Sequence, residues 1–388
     1  MNQNFDAIVI GAGYIGCSVA YHLCQAGLKT ALFDRGGMAA GASAANYGNI
    51  QVQDMELEAS VELTKRGRDC FATLEDELDW KIGLRRIGGL LPIENETQWD
   101  IMSRRRDQLQ QAGILSELVT PEHLPEIEPY LNTAGLLGAL YHPDEGQVDP
   151  FQLMRGFLWR AEQKGLRKFY HTEVTGLDIA DNRIRGVKTP GGNFGARQVI
   201  LCTGAFTRHF GQTIGRDWPV HYVLGQAMVT EPLEFVLRNH IASASFFEIS
   251  EQVKPGTIFA NMAISQSTHG NILVGEAMYE AAHFKTDVPS ESLPVVANCW
   301  LRYFPAFEKL RILRGWSAPV ADTPDGLPLL GPVDGLDGLF VATAFRSTVV
   351  ITPLVGKTIA QLLTTGQTDL DSTNYLPERR GQEVSDVF

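Results

Sequence analysis

The stretch from Asp6 to Arg35 reads DAIVIGAGYIGCSVAYHLCQAGLKTALFDR. Asp6 to Ile10 is an apolar run with the length of a buried parallel strand, and the helical pattern from Tyr14 closes at Gly27, a residue suited to a helix C-terminus. A second short strand, Lys29 to Phe33, ends on Asp34. Between the first strand and the helix stand Gly11, Gly13 and Gly16. The first lets the chain turn tightly, the second lets backbone approach a pyrophosphate, and the third lets the helix pack closely on the strand. Tyr14 and Ile15 open a helix whose free N–H groups favour phosphate. Asp34 follows Gly16 by 18 residues, where a carboxylate accepts hydrogen bonds from a ribose diol, and Arg35 joins it in the candidate site. Strand, glycines, helix and acid come in the required order, so the spacing predicts a dinucleotide site.

The 388 residues suffice for about two domains, and 44% apolar content supplies a sizeable core. A net charge of −12 argues against a nucleic-acid or anionic-membrane surface, and the basic run Ser103–Arg106 reads as a solvated helical face. No run of about 18 apolar residues suggests a bilayer span, and the N-terminus enters a strand without a basic, apolar leader, so a cytoplasmic location is expected. The five cysteines form no C-x-x-C pair and read as small core residues. The nine histidines make no H-x-x-x-H or H-E-x-x-H pair, and no metal is expected.

After Arg35 the small-residue segment GGMAAGASAANYGNI reads as a loop that reaches a cofactor through Ala42, Ser43, Asn46, Tyr47, Gly48 and Asn49. A long helix is expected over 54–78, then a strand at LRRIGGLLPI and helices near 96–112 and 121–130. A helix with Pro150 at its first position and Gly165 at its end leads into strands joined by turns at Asp181-Asn182 and Gly191-Gly192. Here the chain returns to the nucleotide domain, offering backbone at Val174 to an adenine and a close approach at Thr203-Gly204. Residues 216–318 alternate as an antiparallel sheet suited to a substrate platform. The last helix is expected to start with Thr352 as cap and Pro353 at its first position, and to stop at Gly366.

Two returns to the nucleotide domain are the layout of a long cofactor held at several points, whereas an NAD-binding domain normally completes its sheet locally. The expected fold class is α/β, a Rossmann-like FAD-binding domain (1–80, 149–215 and 319–388) interleaved with an α+β substrate domain on a mostly antiparallel sheet (81–148 and 216–318). The last helix would aim its N-terminus at the flavin pyrimidine, an effect of up to ~2 kcal/mol or roughly 40 mV for a two-electron couple.

The chain resembles the D-amino-acid oxidase superfamily of FAD enzymes, within the group of glycine oxidase, sarcosine oxidase and the flavin-bearing β subunits of opine and hydroxyproline dehydrogenases. The resemblance runs through GASAANYGNI, EGQVDPFQLM, VILCTGAFT, TPDGLPLLGP and FRSTVVITP, nearly the whole chain. It implies transfer of a hydride from a carbon bearing an amine to flavin N5, giving an imine that water hydrolyses, from a D-amino acid, an N-substituted amino acid or an opine-like donor. It also implies that Phe345, Arg346, Ser347 and Thr348 lie at the flavin, with Arg346 anchoring a substrate carboxylate or else buttressing the flavin or a loop carboxylate.

Three positions depart from these relatives. Val320 stands where binders of small amino acids carry an arginine, Ala318 where sarcosine oxidases attach flavin to cysteine, and Leu273 where they carry an oxygen-activating lysine. Non-covalent FAD is therefore expected. The readings left open are a self-contained oxidase, a dehydrogenase subunit passing electrons to partner chains, and a flavin-binding assembly subunit without turnover.

Overall fold

Ala7 to Ile10 are buried on both faces, which explains why β1 (Asn4–Ile10) runs through the middle of a parallel sheet. The computed structural model describes residues 4–52, 57–251, 258–279, 288–346 and 348–379. After β1 come α1 (Tyr14–Gln25), β2 (Thr30–Phe33), β3 (Asn49–Ile50), α2 (Leu57–Asp69), α3 (Phe71–Leu78), β4 (Arg85–Ile93) and α4 (Glu96–Gln111). Then follow β5 (Glu117–Val119), α5 (Leu124–Ile127), β6 (Gly138–Gln147), α6 (Pro150–Gln163), β7 (Arg167–Phe169), β8 (Gly176–Ala180), β9 (Arg183–Thr189) and β10 (Gly192–Leu201). The remainder comprises α7 (Thr207–Gln212), β11 (His221–Pro232), β12 (Asn239–Ala242), β13 (Phe259–Gln266), β14 (Asn271–Tyr279), α8 (Ser292–Tyr303), β15 (Ile312–Asp322), β16 (Leu329–Pro332), β17 (Leu339–Thr343) and α9 (Thr348–Thr365).

The strands form two sheets in a mixed α/β fold. The first runs β16-β17-β10-β1-β2-β7 with β8 and β9 attached to β10, and its strands from β17 to β7 are parallel. Residues of α1, α6 and α9 form one apolar core with this sheet, and Trp218, Val220 and the β8–β9 hairpin close a second. Asp181 and Asn182 both take positive φ in that hairpin, the left-handed pair that a two-residue turn demands. The second sheet runs β15-β11-β14-β13-β12-β4-β6-β3, antiparallel except where β12 meets β4. One of its faces is covered by α8, and α4 contributes to a further apolar cluster on it. β3 belongs to this sheet although it lies early in the chain, and the division expected at 318/319 falls inside β15.

Two expectations about helices change. The helix expected over 54–78 is two helices, its first residues lying outside those described; at the break the Cys70 N–H is shared between Arg66 O (3.3 Å) and Gly67 O (3.2 Å), tightening the last turn of α2. The last helix starts at Thr348, so Pro353 lies inside it and Thr352 bonds back to Thr348 O (2.6 Å) rather than capping. Burial of Val349, Val350 and Ile351 extends the helix upstream of the cap that local propensity favoured. This α9 also has the length and apolarity of a membrane-crossing helix, with 61% of it buried inside the protein.

A buried polar seam ties β3 to the second sheet. Arg85 and Ser265 donate to Gln147 Oε1 and Asn49 Oδ1, and Gln147 Nε2 donates to Ser265 Oγ (2.8 Å). Asn49 Nδ2 lies 2.7 Å from His240 Nδ1, and Gln51 Nε2 lies 2.8 Å from His240 Nε2. Burial pushes the His240 imidazole down to about 4, so it is neutral, and its Nδ1 accepts from Asn49 Nδ2.

α1 and α9 touch where Gly356 meets Ser18 and His22. A Cβ at Gly356 would overlap Ser18 Oγ and stand 2.5 Å from His22 Nδ1. Gly356→Ala should lower unfolding free energy by about 1–3 kcal/mol through overpacking, despite the ~1 kcal/mol that alanine gains in helix propensity. Urea unfolding measures it, and a more stable variant would refute the close crossing.

Candidate active site

The carboxyl ends of β1, β2, β10 and β17 open onto one cavity of about 430 Å³. Its floor is set by the glycines. Gly11 has φ +107°, and a Cβ there would overlap the Cys202 carbonyl; a Cβ at Gly16 would overlap the carbonyl of Gly11. Strand end and helix start are thus in direct backbone contact, a cradle that any side chain would fill. N-cap Gly13 supplies no side-chain cap to α1, and Tyr14 N–H donates to Ser43 Oγ (3.2 Å). Asp34 holds the turn from the other side, accepting from Ala12 N–H (2.8 Å) and Gly36 N–H (2.8 Å). Arg35 lies 3.8 Å over the Phe206 ring, forming one wall. A helix start without a side-chain cap, an acid at the second strand end and a cleft at the sheet's carboxyl edge fit a dinucleotide.

Of the residues singled out from sequence, Gly11, Gly13, Tyr14, Ile15, Asp34, Arg35, Ala42, Ser43, Val174, Thr203, Gly204, Phe345 and Thr348 line this cavity. Gly16 acts beneath it by packing. The far half of the loop turns toward the second sheet instead. Asn46 Oδ1 accepts from Gly48 N–H (2.7 Å), a Cβ at Gly48 would overlap Val148 O, and Tyr47 O accepts from Gln147 Nε2 (3.3 Å). Asn49 sits in the buried seam, and Ser347 lies outside the described residues.

Residues the sequence did not single out include Thr172, Thr175, Cys202, His209, Phe210, Pro319 and Ala321, while Val320, singled out for its missing arginine, lies on the same strand segment of the wall. Val320 is 45% exposed there. Burial pushes the Cys202 thiol up, keeping it neutral. Hydroxyls join the strand ends: Thr203 contacts Thr207 (2.8 Å), Thr207 donates to Thr343 (3.1 Å), and Thr343 donates to Gly204 O (3.2 Å). The repeated threonines near strand ends were the available signal.

Arg346 precedes α9 and is not part of the cavity wall. Its Nε and Nη2 donate to Asp322 at 3.3 and 2.9 Å, a side-on pair between the end of β15 and the α9 leader. Trp316, also on β15, donates from Nε1 to Ala45 O (3.2 Å), tying that strand to the loop 42–49.

The sequence profile of the DAO family, described as FAD dependent oxidoreductase, matches residues 6–362. Glycine oxidase of Geobacillus kaustophilus (strain HTA426) is 27% identical over 380 residues, 96% of each chain. The mitochondrial dimethylglycine dehydrogenase of Mus musculus is 25% identical over 399 residues; the match covers 97% of this chain but 44% of that protein. The crystal structure of glycine oxidase from Geobacillus kaustophilus superposes with a TM-score of 0.89 at 24% identity, over 98% of this chain and 100% of that one.

Asp34→Ala should weaken FAD binding by about 1.5–3 kcal/mol, through loss of a charge-assisted hydrogen bond and of the two N–H groups that Asp34 holds. Titration of apoprotein with FAD gives the dissociation constant. An unchanged value would leave Asp34 with a backbone role only.

Proposed function

The chain belongs to the DAO family of FAD-dependent oxidoreductases, and we propose that it oxidises the C–N bond of an amino acid or secondary amine to an imine, which water then hydrolyses. The observation that carries this reading is the cavity at the carboxyl ends of four strands, with Asp34 and the glycine cradle at its base. When bound, FAD supplies the two-electron acceptor. The names of the relatives, glycine oxidase and dimethylglycine dehydrogenase, support an amino acid or N-methyl amino acid donor, and D-amino acids and opine-like amines belong to the same proposal.

In this reading the first turn of α1 meets the pyrophosphate, Asp34 the ribose diol and the backbone at Val174 the adenine. Ala42, Ser43, Phe345 and Thr348 enclose the flavin end. FAD is held without a covalent bond, since Ala318 offers no thiol. Arg346 anchors the substrate carboxylate, oriented by its side-on pair with Asp322. A second reading, in which electrons pass to partner chains, is favoured by Leu273 at the position of the oxygen-activating lysine. Peroxide release by the isolated protein separates the two.

Anaerobic bleaching of the flavin by a panel of D-amino acids, N-methyl amino acids, cyclic imino acids and opines tests the activity; bleaching by none would sink the enzyme reading. Acid precipitation should leave the yellow colour in the supernatant, and flavin in the washed pellet would contradict the non-covalent assignment.

Arg346→Ala should cost roughly 2–5 kcal/mol in substrate binding and anaerobic flavin reduction, as when one partner of a desolvated charge pair is lost. Arg346→Lys should recover little of it, because a point charge does not reproduce the planar fork. A decarboxylated analogue should react equally with wild type and variant. Equal loss for both substrates, or collapse of FAD affinity, would make Arg346 a flavin or scaffold residue.

A further inference from the structure

The segment 322–328 carries the chain from the second sheet back to the first, and two arginines hold it. One is Arg346, paired with Asp322. The other is Arg379, far along the chain, whose guanidinium is saturated. Its Nε donates to Asp325 Oδ2 (2.8 Å) and Nη2 to Asp325 Oδ1 (2.7 Å) and Leu327 O (2.8 Å), while Nη1 donates to Pro328 O (2.9 Å) and Leu376 O (3.4 Å). Five N–H groups thus meet acceptors, four of them on one short segment. The side chains are 11% exposed for Arg379 and 20% for Asp325.

The segment passes this constraint on to Arg346. Leu327 N–H donates to Asp325 Oδ1 (3.1 Å), Thr323 Oγ1 to Leu327 O (2.7 Å), and Gly326 N–H to Thr323 O (3.0 Å), closing a tight turn. Gly326 has φ +68°, and a Cβ there would stand 3.1 Å from Arg346 Cζ and Nη1. The guanidinium of Arg346 therefore lies against the turn that Arg379 holds, and its ion-pair partner Asp322 caps the same turn through Thr323 N–H (2.9 Å). Burial alone would push the Asp325 carboxyl up, but the Arg379 and Leu327 hydrogen bonds outweigh it and hold it below the usual carboxylate range.

We infer that Arg379 is a positioning residue: its fork fixes the crossover 322–328, and the crossover fixes Arg346 between Asp322 and Gly326. The consequence for substrate rests on Arg346 as carboxylate anchor; the mechanical coupling does not. A lysine keeps the charge of Arg379 but has three donors and no plane, so it does not hold five acceptors at once.

The experiment compares wild-type holoprotein with Arg379→Lys and Arg379→Met by amide hydrogen exchange and by benzoate titration followed in the FAD absorption band. Both variants should lose protection at Gly326 and Leu327 by ~10-fold or more, and also in the segment 344–350 that carries Arg346. Loss confined to residues 372–379 would make Arg379 a tether of its own segment and overturn the inference, as would full protection in Arg379→Lys. Benzoate should bind ~10-fold more weakly to both Arg379 variants and to Arg346→Ala. Unchanged benzoate binding in Arg346→Ala, with exchange altered as expected at 344–350, would remove the anchor role and leave the positioning role standing.

Discussion

The site depends on a backbone contact that no side chain can enter. Gly16 presses the start of α1 onto the Gly11 carbonyl, and Gly11 presses the end of β1 onto the Cys202 carbonyl at the end of β10. With those three backbones in contact, the first turn of α1 comes to the carboxyl edge of the parallel sheet, and Asp34 secures the turn by taking the Ala12 N–H. Packing and ligand recognition here are one requirement: the approach that makes the core dense also leaves backbone N–H groups facing a cleft.

Around that fixed point the other components are less local. Arg35 and Phe206 are distant in sequence and form a cation–π wall at 3.8 Å, worth about 0.5–2 kcal/mol depending on how dry it is. Hydroxyls of Thr203, Thr207 and Thr343 join the ends of β10 and β17. The second sheet is tied in through β3, whose Asn49 enters a seam with His240, Gln147 and Ser265. One short loop therefore lines the cavity with its first half and meets the second sheet with its second.

The legible part of the sequence was the part whose physics is local. Gly11, Gly16 and Asp34 meet at the turn that their spacing predicts, because turn, close approach and acid lie within one strand–helix–strand unit. Thr352 and Pro353 misled because they are a good helix start locally, while burial of Val349–Ile351 decides the matter from outside the segment. Asn46 finds a local partner in Gly48, whereas Gly48, Tyr47 and Asn49 meet Val148, Gln147 and His240, which no short window contains. The Asp322–Arg346 pair was hidden for the same reason: each residue is ordinary where it stands, and only the crossover brings them together.

Strand order in the first sheet bears on how the protein is made. β1 lies between β2, nearby in the chain, and β10, which follows it by some 180 residues, and β17 adds to β10 later still. During synthesis the nascent chain can form β1, α1 and β2 early, but the cleft has no second wall until β10 emerges and no third until β17 does. The cavity therefore has all its walls only once β17 has emerged, and the last long-range pairings complete it rather than the first. Such a topology closes its loops late and folds slowly.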